Sequence, residues 1–384
     1  MADTPYQRID SLDLIRGFAI LGILIMNVYS MALPHIAYSA PRWSTDTGVA
    51  DTAVYVFQSL AVESRFMSIF SMLFGVGLLL QSDRMRSRDI NPRPRLRRRL
   101  AWLLLFGLVH GFLLWQGDIL SLYAIAGFLV LPATRWSTRR LTIVAIILIA
   151  VGQIALLLVF GASLATGENL MEVPPLPFDA GAIAAARQTW TTFPSRIVAN
   201  AKEYLAFLVI FPFMMLWHAS GVMMIGMVLY RRGFFTDSRA WRRGVPSLLL
   251  GAAIGGGVLW LRYAVGVNTS AGQSLLGVMM IAGILMGIGY MSFLVPAASS
   301  SSLLVRALRN TGKTAFTLYI SQTVVTLLLF VVILRPLWGS WTRLELLVYV
   351  AIFSVLQVVF ANNWQRKVGQ GPLESLWRKL ARGR

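Results

Sequence analysis

Cysteine is absent from this 384-residue chain, and histidine occurs only three times. Without a thiol there is no disulfide and no thiolate chemistry. The histidines (His35, His110 and His218) are scattered, with no HExxH-type spacing, so no metal site is expected. Charge is scarce as well: Asp, Glu, Lys and Arg together make up 13% of the residues, against 57% hydrophobic. The mean hydropathy of +0.66 excludes an ordinary soluble domain. No stretch alternates polar and apolar residues, which excludes a transmembrane β-barrel. Nucleotide-cradling loops and the GxSxG elbow are missing too, and no bound cofactor is expected.

Acids are the scarcest charge, 16 against 35 basic residues, giving a net charge of +19. Such an excess could suggest nucleic acid. The basic residues, however, sit in short loops between apolar runs, as the positive-inside rule places them, so no nucleic-acid partner is expected.

What is present is a series of long apolar runs. They predict an all-α polytopic transmembrane bundle of about ten spans, near 13–33, 53–81, 97–116, 118–134, 139–161, 204–230, 244–265, 272–295, 313–335 and 343–361. The second and sixth are long for one crossing, which argues for tilt or a broken helix. The first run is long enough to span and reads as a signal anchor. One set of alternate loops holds about 26 of the Lys and Arg residues and the other about six, which places both termini in the cytoplasm of an inner membrane. Anionic inner-leaflet lipids are then expected partners.

Residues 1–363 read as one integral-membrane domain and 364–384 as a basic amphipathic cytoplasmic tail lying on the inner surface. The longest connection, 162–203, opens with Pro174, Pro175 and Pro177, carries Glu168, Glu172 and Asp179, and continues as a helix-capable stretch. Its length fits a lid or a plain connector. Glycines inside spans (Gly75, Gly77, Gly251, Gly283, Gly287) read as close helix packing.

Ionisable residues within such runs cost about 2 to 3 kcal/mol each on insertion scales, so they face partners, protein or water. His110 and Asp118 stand out, inside LVHGFLLWQGDIL. On a straight helix they would lie about 12 Å apart, and a turn at Gly117 can fold them together. A neutral histidine with a nearby carboxylate can serve as general base; the alternative is helix glue followed by a cap. In the first span Asp13, Arg16 and Asn27 share a face, Arg16 and Asn27 only about 20° apart on a helical wheel. Ser11 is placed to cap that helix. Glu63 and Arg65 point about 200° apart on a helix, so at least one bonds elsewhere. His35 reads as a loop residue and His218 as packing or function alike.

The segments RIDSLDLIRGFAILGILIMN (8–27), RFMSIFSMLFGVG (65–77), LLFGLVHGFLLWQGDILSLYAIAG (104–127), RNTGKTAFTLYISQT (309–323) and GPLESLWR (371–378) together resemble the YeiB-like bacterial membrane family, domain-of-unknown-function family 418. The blocks cover essentially the whole chain. The opening SLDxxRG is also similar to the transmembrane acyltransferase clan, which includes heparan-alpha-glucosaminide N-acetyltransferase. That resemblance implies a fold of about ten helices and transfer of an acyl group from cytoplasmic acyl-CoA to an acceptor beyond the membrane, often a sugar. Asp13, Arg16 and Gly17 match the opening motif; His110, Gly117 and Asp118 match the family's histidine block. The catalytic histidine of the glucosaminide enzyme resembles one in the loop after the motif helix, where this chain has His35 in a different context.

The expectation is an inner-membrane acyltransferase with His110 as general base assisted by Asp118. Asp13, Arg16, Asn27, Glu63 and Arg65 would furnish its polar interior, and Arg97, Arg98 and Arg99 would attract donor phosphates. The acceptor is a small molecule or glycan. The chain could act alone or as an oligomer. The alternative is a proton-coupled transporter using His110, Asp118 and Glu63.

Overall fold

The computed structural model describes residues 9–166 and 176–382, and these are all-α. The only β pairing among the described residues is one isolated bridge between Ser44 and Phe178. In chain order the helices are α1 (Asp10–Ala32), α2 (Val49–Ala61), α3 (Arg65–Arg86), α4 (Pro92–Leu113), α5 (Leu120–Val130), α6 (Thr138–Thr166), α7 (Ala180–Thr191) and α8 (Phe193–Met214). They continue as α9 (Leu216–Arg231), α10 (Ala240–Val265), α11 (Ser270–Ser274), α12 (Leu276–Ala297), α13 (Leu303–Lys313), α14 (Ala315–Leu327), α15 (Arg343–Lys367) and α16 (Pro372–Arg382).

By length and composition, seven of these segments can cross a membrane: α1, α2 with α3, α6, α10, α11 with α12, α14 with its continuation to Ile333, and α15. The expected span at 118–134 is a shorter apolar helix, Leu120–Arg135. That at 204–230 is divided at Met215 between α8 and α9. The long second run is also broken. Ser64 takes a left-handed conformation with φ 63°, costly for a residue with a Cβ, and separates α2 from α3. The outer faces of α6 and α15 expose Ile146, Leu158, Ile352 and Val355, an apolar exterior suited to lipid. Pro174, Pro175, Glu168 and Glu172 lie outside the described residues.

At the centre stands α1, packed against α3, α12, α13, α14 and α15. Its Gly17 explains part of the opening motif. A Cβ there would sit 1.9 Å from Leu308 O, and a Cβ on Gly312 of α13 would sit 1.9 Å from Asp13 O. The two glycines allow the α1 and α13 backbones to touch, as small residues do at membrane helix crossings. Gly75 and Gly226 repeat the device between α3 and α9. Ser11 does not cap α1: the helix begins at Asp10 after Ile9, and the Ser11 hydroxyl donates to Phe235 O at 2.6 Å.

One end of the bundle is rich in arginine. There Arg86 and Arg231 both donate to Thr134 O, and Trp377 Nε1 donates to Arg99 O at 2.9 Å. The C-terminal segment is part of this end. α15 runs on to Lys367, and α16 then docks on the bundle. The Glu374 carboxylate accepts from the Phe316 and Thr317 N–H groups and from the Thr317 hydroxyl, neutralising the start of α14.

Candidate functional site

The α4 helix starts cleanly, with Asn91 as cap and Pro92 in its first turn. It ends at Leu113, and its last carbonyls are bound from α8. Asn200 Nδ2 donates to Gly111 O at 2.8 Å and to Phe112 O at 2.9 Å, Asn200 Oδ1 accepts from Gln116 N at 2.8 Å, and Arg196 donates to Leu114 O. This clamp folds residues 114–119 back. His110 Nδ1 consequently lies 3.0 Å from Asp118 Oδ1, with both residues buried.

The other carboxylate oxygen of Asp118 accepts from Ser121 N at 2.8 Å. A carboxylate can only accept, so Nδ1 carries the His110 proton and Nε2 offers its lone pair. The Thr323 hydroxyl of α14 is 3.0 Å from that lone pair and donates to it. Asp118, His110 and Thr323 therefore form a carboxylate–imidazole–hydroxyl relay, the geometry by which a histidine is held ready to take a proton. Gly107 makes room for it: a Cβ there would meet Asp118 Oδ2 at 2.8 Å and Ser121 N at 2.4 Å.

Next to the relay lies a cavity of about 410 Å³. Arg16, Arg99, Lys313 and Arg378 stand at its basic mouth, and Phe70, Phe74, Leu103 and Tyr319 line it further in. The Tyr319 ring centroid is 5.2 Å from that of His110, so this side chain separates cavity and histidine. On the other side of His110 the Trp115 ring lies 6.2 Å away and borders a small pocket of about 10 Å³ shared with His35 and Gln116. That volume is about the size of one water.

The sequence-chosen residues divide. Arg16 lines the cavity, and Asp13 pairs with it at 3.1 Å. Of the three consecutive arginines only Arg99 lines the cavity, its guanidinium 3.5 Å above the Trp377 ring. Arg97 and Arg98 are exposed, and Arg98 donates to Arg382 O. Asn27 is buried, apart from the cavity wall. Glu63 and Arg65 belong to a second group. Arg65 Nη1 donates to the Glu63 carbonyl at 2.6 Å, and the Glu63 carboxylate faces Arg262 and Arg65. His218 packs beside Gln153, 3.1 Å away. Among the described residues no three His, Cys, Asp or Glu side chains are grouped as a metal site would need.

Thr323, Tyr319, Lys313 and Arg378 were not singled out in the sequence. All lie in or beside the blocks RNTGKTAFTLYISQT and GPLESLWR, whose repeated hydroxyl and basic residues were the available signal.

Residues 229–384 match the family described as "Protein of unknown function (DUF418)". Across nearly the full length the chain is similar to "Uncharacterized protein YeiB" of Escherichia coli (strain K12), 29% identical over 97% of this chain and 96% of that protein. It is likewise similar to "Uncharacterized protein YxaH" of Bacillus subtilis (strain 168), 25% identical over 97% of this chain and 94% of that one. No solved structure matches. The C-terminal part of the chain thus matches the DUF418 family, and its whole length is similar to the YeiB-like proteins.

Proposed function

We propose that the protein is an inner-membrane acyltransferase with His110 as general base. One observation carries this reading: the Asp118–His110–Thr323 relay is buried between Tyr319, which walls a basic-mouthed cavity on one side, and Trp115, which borders a small pocket on the other. A donor entering through the mouth would bring an acyl group to the Tyr319 wall, and an acceptor would approach from the Trp115 side. The acyl donor is an acyl-CoA, its phosphates drawn by Arg16, Arg99, Lys313 and Arg378. The acceptor is a sugar or another small envelope component. Both termini and the basic end lie in the cytoplasm against anionic lipid, and the chain makes about ten passes.

In the chemical step the acceptor hydroxyl or amine takes the place of Thr323 at His110 Nε2 and gives up its proton as it attacks the acyl carbonyl carbon. The carbon–sulfur bond breaks, and the imidazolium returns the proton to the departing thiolate. Asp118 holds the tautomer and stabilises the imidazolium. Replacing His110 with Ala in the purified protein and measuring acyl-CoA turnover over a panel of acceptors tests this. Turnover is expected to be lost, and full retention would remove His110 from the mechanism. The transporter reading needs Glu63 in the same relay, whereas Glu63 faces Arg262 and Arg65 in the second group.

A further inference from the structure

The cavity has two chemically different parts. Arg16, Arg99 and Arg378 converge closely enough at the mouth that Arg378 and Arg16 both repel the charge on Arg99. Lys313 adds a fourth cation. Asp13 offsets Arg16, and both oxygens of Glu374 are engaged at the start of α14. The mouth thus keeps an excess of positive charge. Behind it the wall follows α3 inward from Gln81 through Gly77 and Phe74 to Phe70, a length of about 16 Å at the helical rise. Along that depth Leu73, Leu100, Leu103 and Phe316 make the lining apolar. A volume of about 410 Å³ lies within the usual range of ligand pockets, roughly 300–1,000 Å³.

We propose that the cavity binds an anionic single-chain amphiphile, its phosphate on Arg99, Arg378 and Lys313 and its alkyl chain along the α3 wall. This rests on the preceding reading only in taking the cavity as the donor's place; there it specifies a fatty acyl group instead of a two- or four-carbon one. An acetyl group would leave most of this apolar wall without a partner. A phosphate-headed chain satisfies both halves at once, and the same chemistry is offered by a soluble alkyl phosphate or by a lipid from the surrounding leaflet.

Gly77 supplies the decisive variant. It lines the cavity, and a Cβ built there meets only Gln81 Nε2, at 3.9 Å. A side chain can therefore start at this position without touching backbone, and Gly77→Leu narrows the slot. The experiment titrates inorganic phosphate and then butyl, octyl and dodecyl phosphate into the full-length protein in phosphatidylcholine nanodiscs, read by calorimetry. Affinity is expected to rise about fourfold per methylene, so by about two orders of magnitude from butyl to octyl phosphate. Gly77→Leu should remove that chain-length dependence and leave inorganic phosphate binding in place. Arg99→Gln with Arg378→Gln should weaken every member of the series alike. Equal affinity along the series, or an unchanged series in Gly77→Leu, would overturn the proposal. Repeating the titration with phosphatidylglycerol in the nanodisc identifies the source. Competition assigns the ligand to the leaflet, its absence assigns it to a soluble amphiphile, and either result upholds the proposed chemistry. Binding is read here without turnover. A protein that binds the series yet transfers no acyl group would refute the acyltransferase reading and leave this one standing.

Discussion

His110 Nε2 lies 3.0 Å from the hydroxyl of Thr323, a residue 213 positions further along the chain, and both side chains are buried. With Nδ1 committed to Asp118, this hydroxyl is the partner that satisfies the second ring nitrogen. Thr323→Val keeps the shape and removes the donor. A buried acceptor left without a partner costs about 1–3 kcal/mol, so thermal unfolding of the purified protein should show a loss in that range. Asp118→Asn should act differently. An amide can donate to Nδ1 and favour the wrong tautomer, leaving Nε2 protonated and unable to take a proton. Acyl transfer should then fall by roughly 10²–10⁴-fold, the usual worth of a positioned base. An Asp118→Asn protein with undiminished transfer would exclude a base role for His110.

The glycines on α1 and α3 are not equivalent, and stability measurements should separate them. At Gly17 a Cβ would lie 1.9 Å from a backbone carbonyl of α13, where nothing can swing aside. Gly17→Ala should cost about 3 kcal/mol or more, at or beyond the upper end of overpacking penalties. Gly77 faces the cavity, so Gly77→Ala should be neutral or stabilising by about 0.5–1 kcal/mol through helix propensity. Paired unfolding curves check both. Equal effects would mean that the α1–α13 contact is looser than the backbone distances require.

Glu374 ties the last helix to the bundle. Its oxygens accept from Phe316 N at 2.7 Å, Thr317 N at 3.1 Å and Thr317 Oγ1 at 2.6 Å. Glu374→Ala removes a charged cap from the start of α14, worth about 1–2 kcal/mol. The loss falls on the docking of α16, which also contributes Trp377 and Arg378 to the cavity wall. Faster amide hydrogen exchange across 372–382, with exchange in α1 unchanged, is the expected result. Uniform acceleration through the bundle would instead make Glu374 a support of the whole fold.

These residues mark what could be read from the chain alone. The apolar runs disclosed an all-α bundle because hydrocarbon-length segments are hard to mistake, and Gly117 next to Asp118 pointed to the turn that brings Asp118 to His110. Thr323 was invisible because its role depends on α14 crossing α4, a contact over more than two hundred residues that no local pattern encodes. Arg378 is an exposed charge on an amphipathic helix, and helical spacing does not say that it also borders the cavity. Arg97 and Arg98 share the charge of Arg99, but only Arg99 has its guanidinium over the Trp377 ring. Arg343, at the first position of the last expected span, is fully buried.

That burial of Arg343 gives the last prediction. Its backbone N–H donates to Asp51 Oδ1 at 2.9 Å, and Nη2 donates to Ala37 O at 2.8 Å and to Ala40 O. The guanidinium carbon lies 5.3 Å from the Tyr29 ring centroid and 5.2 Å from that of Tyr55. The cation therefore ties the turn after α1 to the start of α15, while the Arg343 backbone N–H ties α15 to the first turn of α2. Lysine keeps the charge but lacks the planar guanidinium that brings Nη2 to both carbonyls while lying near the Tyr29 and Tyr55 rings. Arg343→Lys should accordingly lose about 2–3 kcal/mol, the worth of charge-assisted hydrogen bonds at a buried site. Arg343→Met, which puts no unpaired charge in the same space, should be no worse. Thermal unfolding of the two variants side by side decides it. If lysine restored wild-type stability, charge alone would hold this turn, and the planar guanidinium would be incidental.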